Sequence, residues 1–251
     1  MKHPFDLTGS TALVTGASRG IGAGIALALA AAGADIIGTS RSSSLDATAD
    51  AVREFGREFT PLAADLTDTA GVHELVSKLD GLAPVDILVN NAGLANRNPA
   101  EDHTDAQWDE VISVNLSAPF TLARELGRRM LERESGRIIF LASMNSFQGG
   151  RNVVSYTASK SGVTGIVHAL ANEWADRGVT VNAIAPGYIE TDLTSGSHGD
   201  AARRRAFQER IPVGRWGTPA DLGGAAVFLA SPAAAYVNGA VLPVDGGWLV
   251  R

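Results

Sequence analysis

A doubly wound α/β fold, with one parallel sheet of seven strands covered by helices on both faces, is the architecture this 251-residue sequence predicts. Three observations carry it. Seven short apolar runs read as strands buried on both sides, because they lack the polar alternation of a half-solvated strand. Helical patterns separate those runs, and alternating strands and helices join as right-handed parallel units. A glycine-rich turn links the first run to the first helix, at the end of the sheet where such folds bind ligands.

In chain order, Thr11 to Val14 is the first strand, and the Ala-rich stretch Ile21 to Ala32 is a helix that breaks at Gly33. Ala34 to Gly38 and Thr60 to Ala64 are the second and third strands, followed by a helix from Thr69 to Leu79. Val85 to Val89 is the fourth strand and leads to a long helix over Ala106 to Leu131. Arg137 to Leu141, a helix over Val153 to Ala175, Val179 to Ile184, a helix over Pro219 to Leu229, and Ala240 to Val244 complete the alternation. Only Glu190 to Arg210 breaks the rhythm. It is polar and apolar-poor, and a long insertion of this kind predicts a substrate lid over 190–210. No linker composition or internal repeat divides the chain, so residues 1–251 are expected to form a single domain.

Composition narrows the function. Charged residues make up 19% and the net charge is −6, so there is no basic field for nucleic acid. Arg203-Arg204-Arg205 is the one basic cluster, either a solvated face or an aid to an anionic substrate. The absence of cysteine excludes disulfides, a thiol nucleophile and thiolate metal sites. Five scattered histidines with no HExxH pair argue against catalytic zinc, and no metal is expected. Met1 to Asp6 lacks the apolar core of a signal peptide, and the most apolar stretch, Ile21 to Ile37, holds Asp35 and Gly33. A cytoplasmic protein, with neither a membrane nor nucleic acid as partner, is the expectation.

After the first strand, Gly16, Gly20 and Gly22 enclose Ser18 and Arg19 and lead through Ile21 into a helix. Glycines let the backbone approach a pyrophosphate, and a helix N-terminus offers it free N–H groups. The same stretch satisfies G-x-S-x-G, which would make Ser18 the nucleophile of an α/β-hydrolase, although that elbow normally follows several earlier strands. If a dinucleotide binds, the end of the second strand reads its adenosine ribose. Ser40 and Arg41 stand there with no carboxylate. A hydroxyl and a guanidinium suit the 2′-phosphate of NADP(H), with NAD(H) possible and a plain surface charge the alternative. Asp65 and Leu66 follow the third strand as adenine neighbours. Asn91, Ala92 and Gly93, preceded by Asn90, make a compact turn after the fourth.

Tyr156 and Lys160 are four residues apart on a predicted helix, hence on one face. An ammonium beside a phenol favours the phenolate and makes tyrosine a usable acid/base. Ser143 stands upstream, behind the apolar run Ile138 to Ala142.

Taken together, these residues resemble the short-chain dehydrogenase/reductase family from Gly9 to Gly247. The resemblance implies a Rossmann-like fold and a homotetramer. It implies a catalytic set of Asn115, Ser143, Tyr156 and Lys160, in which Tyr156 exchanges a proton with the substrate oxygen and Ser143 hydrogen-bonds it. Lys160 would lower the phenol pKa and bind the nicotinamide ribose, and Asn115, at a kink in its helix, would position a relay water. Pro186, Gly187, Ile189 and Thr191 would hold the nicotinamide. Within the family, the stretches Ala142 to Gly150, Ala171 to Trp174, Arg210 to Gly217 and Val244 to Trp248 resemble members that act on sugar acids. Asn145, Gln148, Arg151, Asn152 and Arg97, with Ser143, are then the candidate contacts for a small keto or hydroxy substrate. Arg97 and Arg151 are the candidates to hold its carboxylate, because Asn152 stands where similar proteins carry arginine. A 3-oxoacyl thioester reductase of the same family would need basic residues for a carrier phosphate, with Arg128-Arg129 and Arg203 to Arg205 available. A non-catalytic NADP-sensing module should lack the Tyr156/Lys160 pair.

Overall fold

The computed structural model describes residues 3–191 and 201–251, with no side chains described for 201–204. Strands β1 (Thr11–Val14), β2 (Asp35–Ser40), β3 (Phe59–Ala63), β4 (Ile87–Asn90), β5 (Gly136–Leu141), β6 (Val179–Pro186) and β7 (Val241–Val244) form one parallel sheet in the order β3-β2-β1-β4-β5-β6-β7. The helices are α1 (Gly20–Ala31), α2 (Asp46–Glu54), α3 (Thr69–Lys78), α4 (Asp105–Ile112), α5 (Ala118–Glu132), α6 (Val154–Trp174), α7 (Ala201–Arg210) and α8 (Gly223–Ala230).

Burial on both faces follows from the two-residue period of a strand. Leu13, Ile37, Leu88, Ile138 and Phe140 point to one face and pack with Leu75, Leu122, Leu126, Val163 and Val167 of α3, α5 and α6. Their neighbours Val14, Ile36, Val89 and Ile139 point to the other and meet Ile25, Leu29, Val52, Ala226 and Leu229 of α1, α2 and α8. The inner strands must therefore be apolar throughout, as their sequence runs are. The edge strands β3 and β7, expected to be buried on both sides, are partly exposed because nothing pairs with their outer edge among the described residues. The strand order reverses direction between β1 and β4, so the loops after these strands part and leave a crevice at the carboxyl edge.

Four further expectations change. Helix α2 was not anticipated; its nine residues, mostly Asp and Ala, give too short an apolar stripe to stand out. The long helix over Ala106 to Leu131 is instead α4 and α5 joined by a π-helical turn, Ser113–Ser117, which holds Asn115. The helix expected from Pro219 begins as a 3-10 turn, Pro219–Leu222, before α8. The candidate lid at 190–210 lies partly outside the described residues, and its later part is α7 rather than loop.

Candidate active site

The crevice begins with the turn after β1. No side chain caps α1 and no acid sits in its first turn, so its N–H groups stay available to an anion. Gly16 and Gly20 take positive φ values of 67° and 56°, where a side chain would be strained. A methyl on Gly22 would overlap the Gly16 carbonyl oxygen and Asn91 Nδ2. The turn is a cradle that a β-carbon would fill, as the phosphates of a dinucleotide require.

Asn91 ties that cradle to the turn after β4. Its Nδ2 donates to the carbonyls of Thr15 at 2.8 Å and Gly16 at 3.1 Å. The backbone N–H groups of Asn91 and Ala92 both donate to Thr15 Oγ1 at 3.0 Å. Thr15 was missed in the sequence; a buried threonine at a strand end carries no pattern of its own. Gly93 packs against Asn115, and an added β-carbon would come within 3.2 Å of Asn115 Oδ1.

Ser18 is half-buried, Arg19 exposed, and Ile21 packs on the core beside α1. Among the described residues no histidine hydrogen-bonds Ser18, as a hydrolase elbow requires. Ser40 is buried at the end of β2, where its Oγ accepts from Ser43 N–H, and Arg41 follows it, exposed. Asp65 accepts from Thr67 N–H at 2.9 Å and Thr67 Oγ1 at 2.8 Å. Those bonds, with a smaller pull from Arg41, hold its carboxyl below the usual range. Leu66 sends its side chain into the core, which leaves only its backbone to face the crevice.

At the far side, Ser143 follows β5 as the N-cap of a 3-10 turn, Met144–Ser146, and Tyr156 lies in the first turn of α6. Burial pushes the Tyr156 phenol above its ordinary value, while a hydrogen bond with Ser143 and the charge of Arg97 pull the other way. Lys160 is buried, with Nζ 5.7 Å from the Tyr156 ring centroid and donating to the Leu141 carbonyl at 2.6 Å. Burial drops its pKa to about 8. The Lys160 ammonium stands one helical turn from the phenol, as the i, i+4 spacing predicts. One of its three donors is used on the Leu141 carbonyl, and the phenol pKa is pulled down by Ser143 and, more weakly, by Arg97.

Asn115 is buried in the π turn, and its side chain is fully engaged. Oδ1 accepts from Leu94 N–H at 2.9 Å, and Nδ2 donates to the Leu94 carbonyl at 2.8 Å and Ser159 Oγ at 3.2 Å. A π turn inserts one residue into a helix and re-aims the local side chains, which explains how a mid-helix asparagine reaches a loop. Ser146, also missed, donates to the Lys160 carbonyl at 2.6 Å and joins the Ser143 turn to α6.

The nicotinamide candidates follow β6. Pro186 ends the strand beside Val244, and Gly187 N–H donates to the Val244 carbonyl at 3.1 Å. Ile189 is buried in a bridge to Gly217. Thr191 lies against the phosphate turn, where a β-carbon on Gly20 would touch its methyl at 3.4 Å. Of the substrate candidates, Arg97 acts on the Tyr156 phenol, and Asn145 donates its N–H to Ser143 Oγ at 3.1 Å. Gln148 is half-buried just beyond. Arg151 and Asn152 are exposed, and Asn152 adopts a positive φ of 63°. No described residue hydrogen-bonds or ion-pairs with the Arg151 guanidinium.

The family model described as Enoyl-(Acyl carrier protein) reductase matches residues 16–249. A protein of Pseudoalteromonas atlantica named 2-dehydro-3-deoxy-D-gluconate 5-dehydrogenase is 52% identical, with 100% of both chains covered. A solved structure from Beutenbergia cavernae, with bound NADP at low occupancy, is 49% identical and superposes with a TM-score of 0.96, covering 99% of this chain and 100% of the other. A gluconate 5-dehydrogenase from Burkholderia cenocepacia, in complex with NADP and tartrate, is 36% identical with a TM-score of 0.93, covering 99% and 98%.

Proposed function

Since the chain belongs to the short-chain dehydrogenase/reductase family, we propose that it interconverts a secondary alcohol and a ketone on a sugar acid, of the 2-dehydro-3-deoxy-D-gluconate or 2-deoxy-D-gluconate type, with NADP(H). The observation that carries this reading is the convergence on one phenol. Tyr156 is hydrogen-bonded by Ser143, feels the charge of Arg97 and has the Lys160 ammonium 5.7 Å from its ring centroid, in the crevice whose other end is the glycine cradle.

When bound, NADP(H) donates or accepts the hydride. Gly16 to Gly22 receive its pyrophosphate, Asp65 the adenine edge, and Pro186 to Thr191 the nicotinamide. Arg41 and Ser40 take the 2′-phosphate, for which an acidic ribose reader would be repulsive. In reduction the Tyr156 hydroxyl gives its proton to the substrate oxygen; in oxidation the phenolate removes one from the alcohol. A phenol held high by burial is a reluctant base and needs its partners. Ser143 hydrogen-bonds the same oxygen and favours the phenolate, while the Arg97 charge, the smallest pull on the phenol in the free protein, is taken up by the substrate carboxylate. Lys160 supplies a buried ammonium next to the ribose position, and Asn115 positions the water that carries protons behind it. Asn145, Gln148, Arg151 and Asn152 line the substrate side.

The whole chain acts as one catalytic unit, with 190–210 as its lid, in a cytoplasmic homotetramer by family likeness. No helix among the described residues is long and apolar enough to cross a membrane. The thioester-reductase reading is less favoured. Arg128 pairs with Glu125 at 2.9 Å and Arg129 with Asp80 at 2.7 Å, so neither stands free for a carrier phosphate. Initial rates with 2-dehydro-3-deoxy-D-gluconate, 2-deoxy-D-gluconate and a 3-oxoacyl thioester, each with both coenzymes, test the proposal. The sugar acids with the NADP couple should give the highest kcat/KM; a thioester outrunning them would overturn it.

A further inference from the structure

Arg97 is exposed, and no described residue hydrogen-bonds or ion-pairs with its guanidinium, yet the residues on either side of it are tied down. Three residues before it, Leu94 is gripped through both its N–H and its carbonyl by Asn115. The preceding Asn96 donates through Nδ2 to the Gln107 carbonyl at 3.4 Å. The following Asn98 makes two bonds. Its backbone N–H donates to the Asn152 carbonyl at 3.1 Å, and its Nδ2 donates to Gln107 Oε1 at 2.8 Å.

Gln107 has a double duty. Its Oε1 also accepts from Thr104 N–H at 3.1 Å, and its own N–H donates to Thr104 Oγ1 at 3.3 Å, closing a capping box at the start of α4. The side chain that caps the helix is thus the one that anchors Asn98. An arginine on a slack loop would lose backbone as well as side-chain freedom on meeting an anion; a braced one loses only the latter. The Arg97 charge reaches the Tyr156 phenol and pulls its pKa down, and Asn98 ties the same loop to Asn152 on the substrate side, so the brace holds a positive charge at the proton donor's end of the crevice.

We propose that Asn98 and Gln107 are positioning residues that hold Arg97 where a substrate carboxylate binds, and so set the preference for acidic over neutral substrates. The inference rests on Arg97 as the carboxylate partner. Neither residue acts on the reacting atoms, so their loss should appear in KM for the sugar acid and not in turnover.

Steady-state kinetics of the full-length protein with 2-dehydro-3-deoxy-D-gluconate and NADP+ test this. Asn98→Ala and Gln107→Leu should each raise KM for the sugar acid by about three- to tenfold, with kcat and KM for NADP+ unchanged. Gln107→Glu keeps an oxygen to accept from Asn98 and Thr104, and should restore near-normal KM. Combining Asn98→Ala with Arg97→Ala should add nothing to Arg97→Ala alone, because the Asn98 side chain acts only through Arg97. Unchanged KM in both brace variants, a parallel fall in kcat, or full additivity with Arg97→Ala overturns the proposal. An Arg97→Ala protein with normal KM overturns the carboxylate assignment itself; a raised KM there with normal Asn98→Ala refutes only the brace.

Discussion

Gly22→Ala is the sharpest test of how the cofactor cradle is built. The change adds a single methyl, but the new carbon falls on the Gly16 carbonyl oxygen and Asn91 Nδ2, about 1 Å inside ordinary contact distance. The first obstacle is backbone, so the turn must move as a unit. Moving it breaks the two bonds from Asn91 Nδ2, to Thr15 at 2.8 Å and Gly16 at 3.1 Å. Two neutral hydrogen bonds are together worth about 2 kcal/mol, and overpacking adds about 1–3 kcal/mol. If the strain is expressed in the cradle, NADPH affinity should fall by a factor on the order of 10² or more, since every 1.4 kcal/mol is about tenfold. Titration of NADPH fluorescence gives the dissociation constant, and circular dichroism confirms that the variant is folded. A folded Gly22→Ala protein that binds NADPH within about twofold of the parent would refute the idea that this turn must be free of a β-carbon.

Arg41→Ala should weaken NADPH by about tenfold or more while leaving NADH little changed, because a charged hydrogen bond to the 2′-phosphate is lost and nothing equivalent exists in NADH. Measuring KM for both coenzymes checks this, and an equal loss for both would contradict it. Lys160→Met should flatten the rise of stability with pH above about 8. With its pKa lowered from 10.5 to about 8, Lys160 is neutral in the folded protein and charged in the unfolded chain across that window. The unfolded state binds more protons there, so stability rises with pH by up to about 3 kcal/mol and the contribution is lost as pH falls through the folded value. Urea unfolding of both proteins at the two ends of the window reads the difference; identical pH slopes would oppose the assignment.

Much of the fold was legible because both faces of the sheet are buried. Leu13 and Val14 serve opposite cores, so the strands had to be apolar without a break, and such runs are visible in a sequence. Ends were less so: β2 extends to Ser40 and β4 to Asn90, because hydrogen-bond register and not hydrophobicity decides where a strand stops. The site residues were legible as types at spacings. Their electrostatics were not. Spacing puts Lys160 one turn from Tyr156, but it says nothing of the burial that raises the phenol or of the Leu141 carbonyl that accepts a hydrogen bond from the ammonium. Arg97 stood out only as a candidate cation. Its brace depends on Asn98, Gln107 and Asn152, which meet across long stretches of chain and carry no motif. The π turn that sends Asn115 to Leu94 was invisible to the helical pattern, which runs on through it, and only the family resemblance implied a kink there.

Proton exchange at Tyr156 is most directly tested by NADPH oxidation in the presence of a keto sugar acid, comparing the parent with Tyr156→Phe. Removing the hydroxyl leaves the ring and the cradle in place, so the variant should bind NADPH normally while turnover falls by at least about 10²-fold, the range a general acid contributes. Normal binding with lost turnover is the predicted outcome. A Tyr156→Phe protein that oxidises NADPH at a substantial fraction of the parent rate would contradict the mechanism.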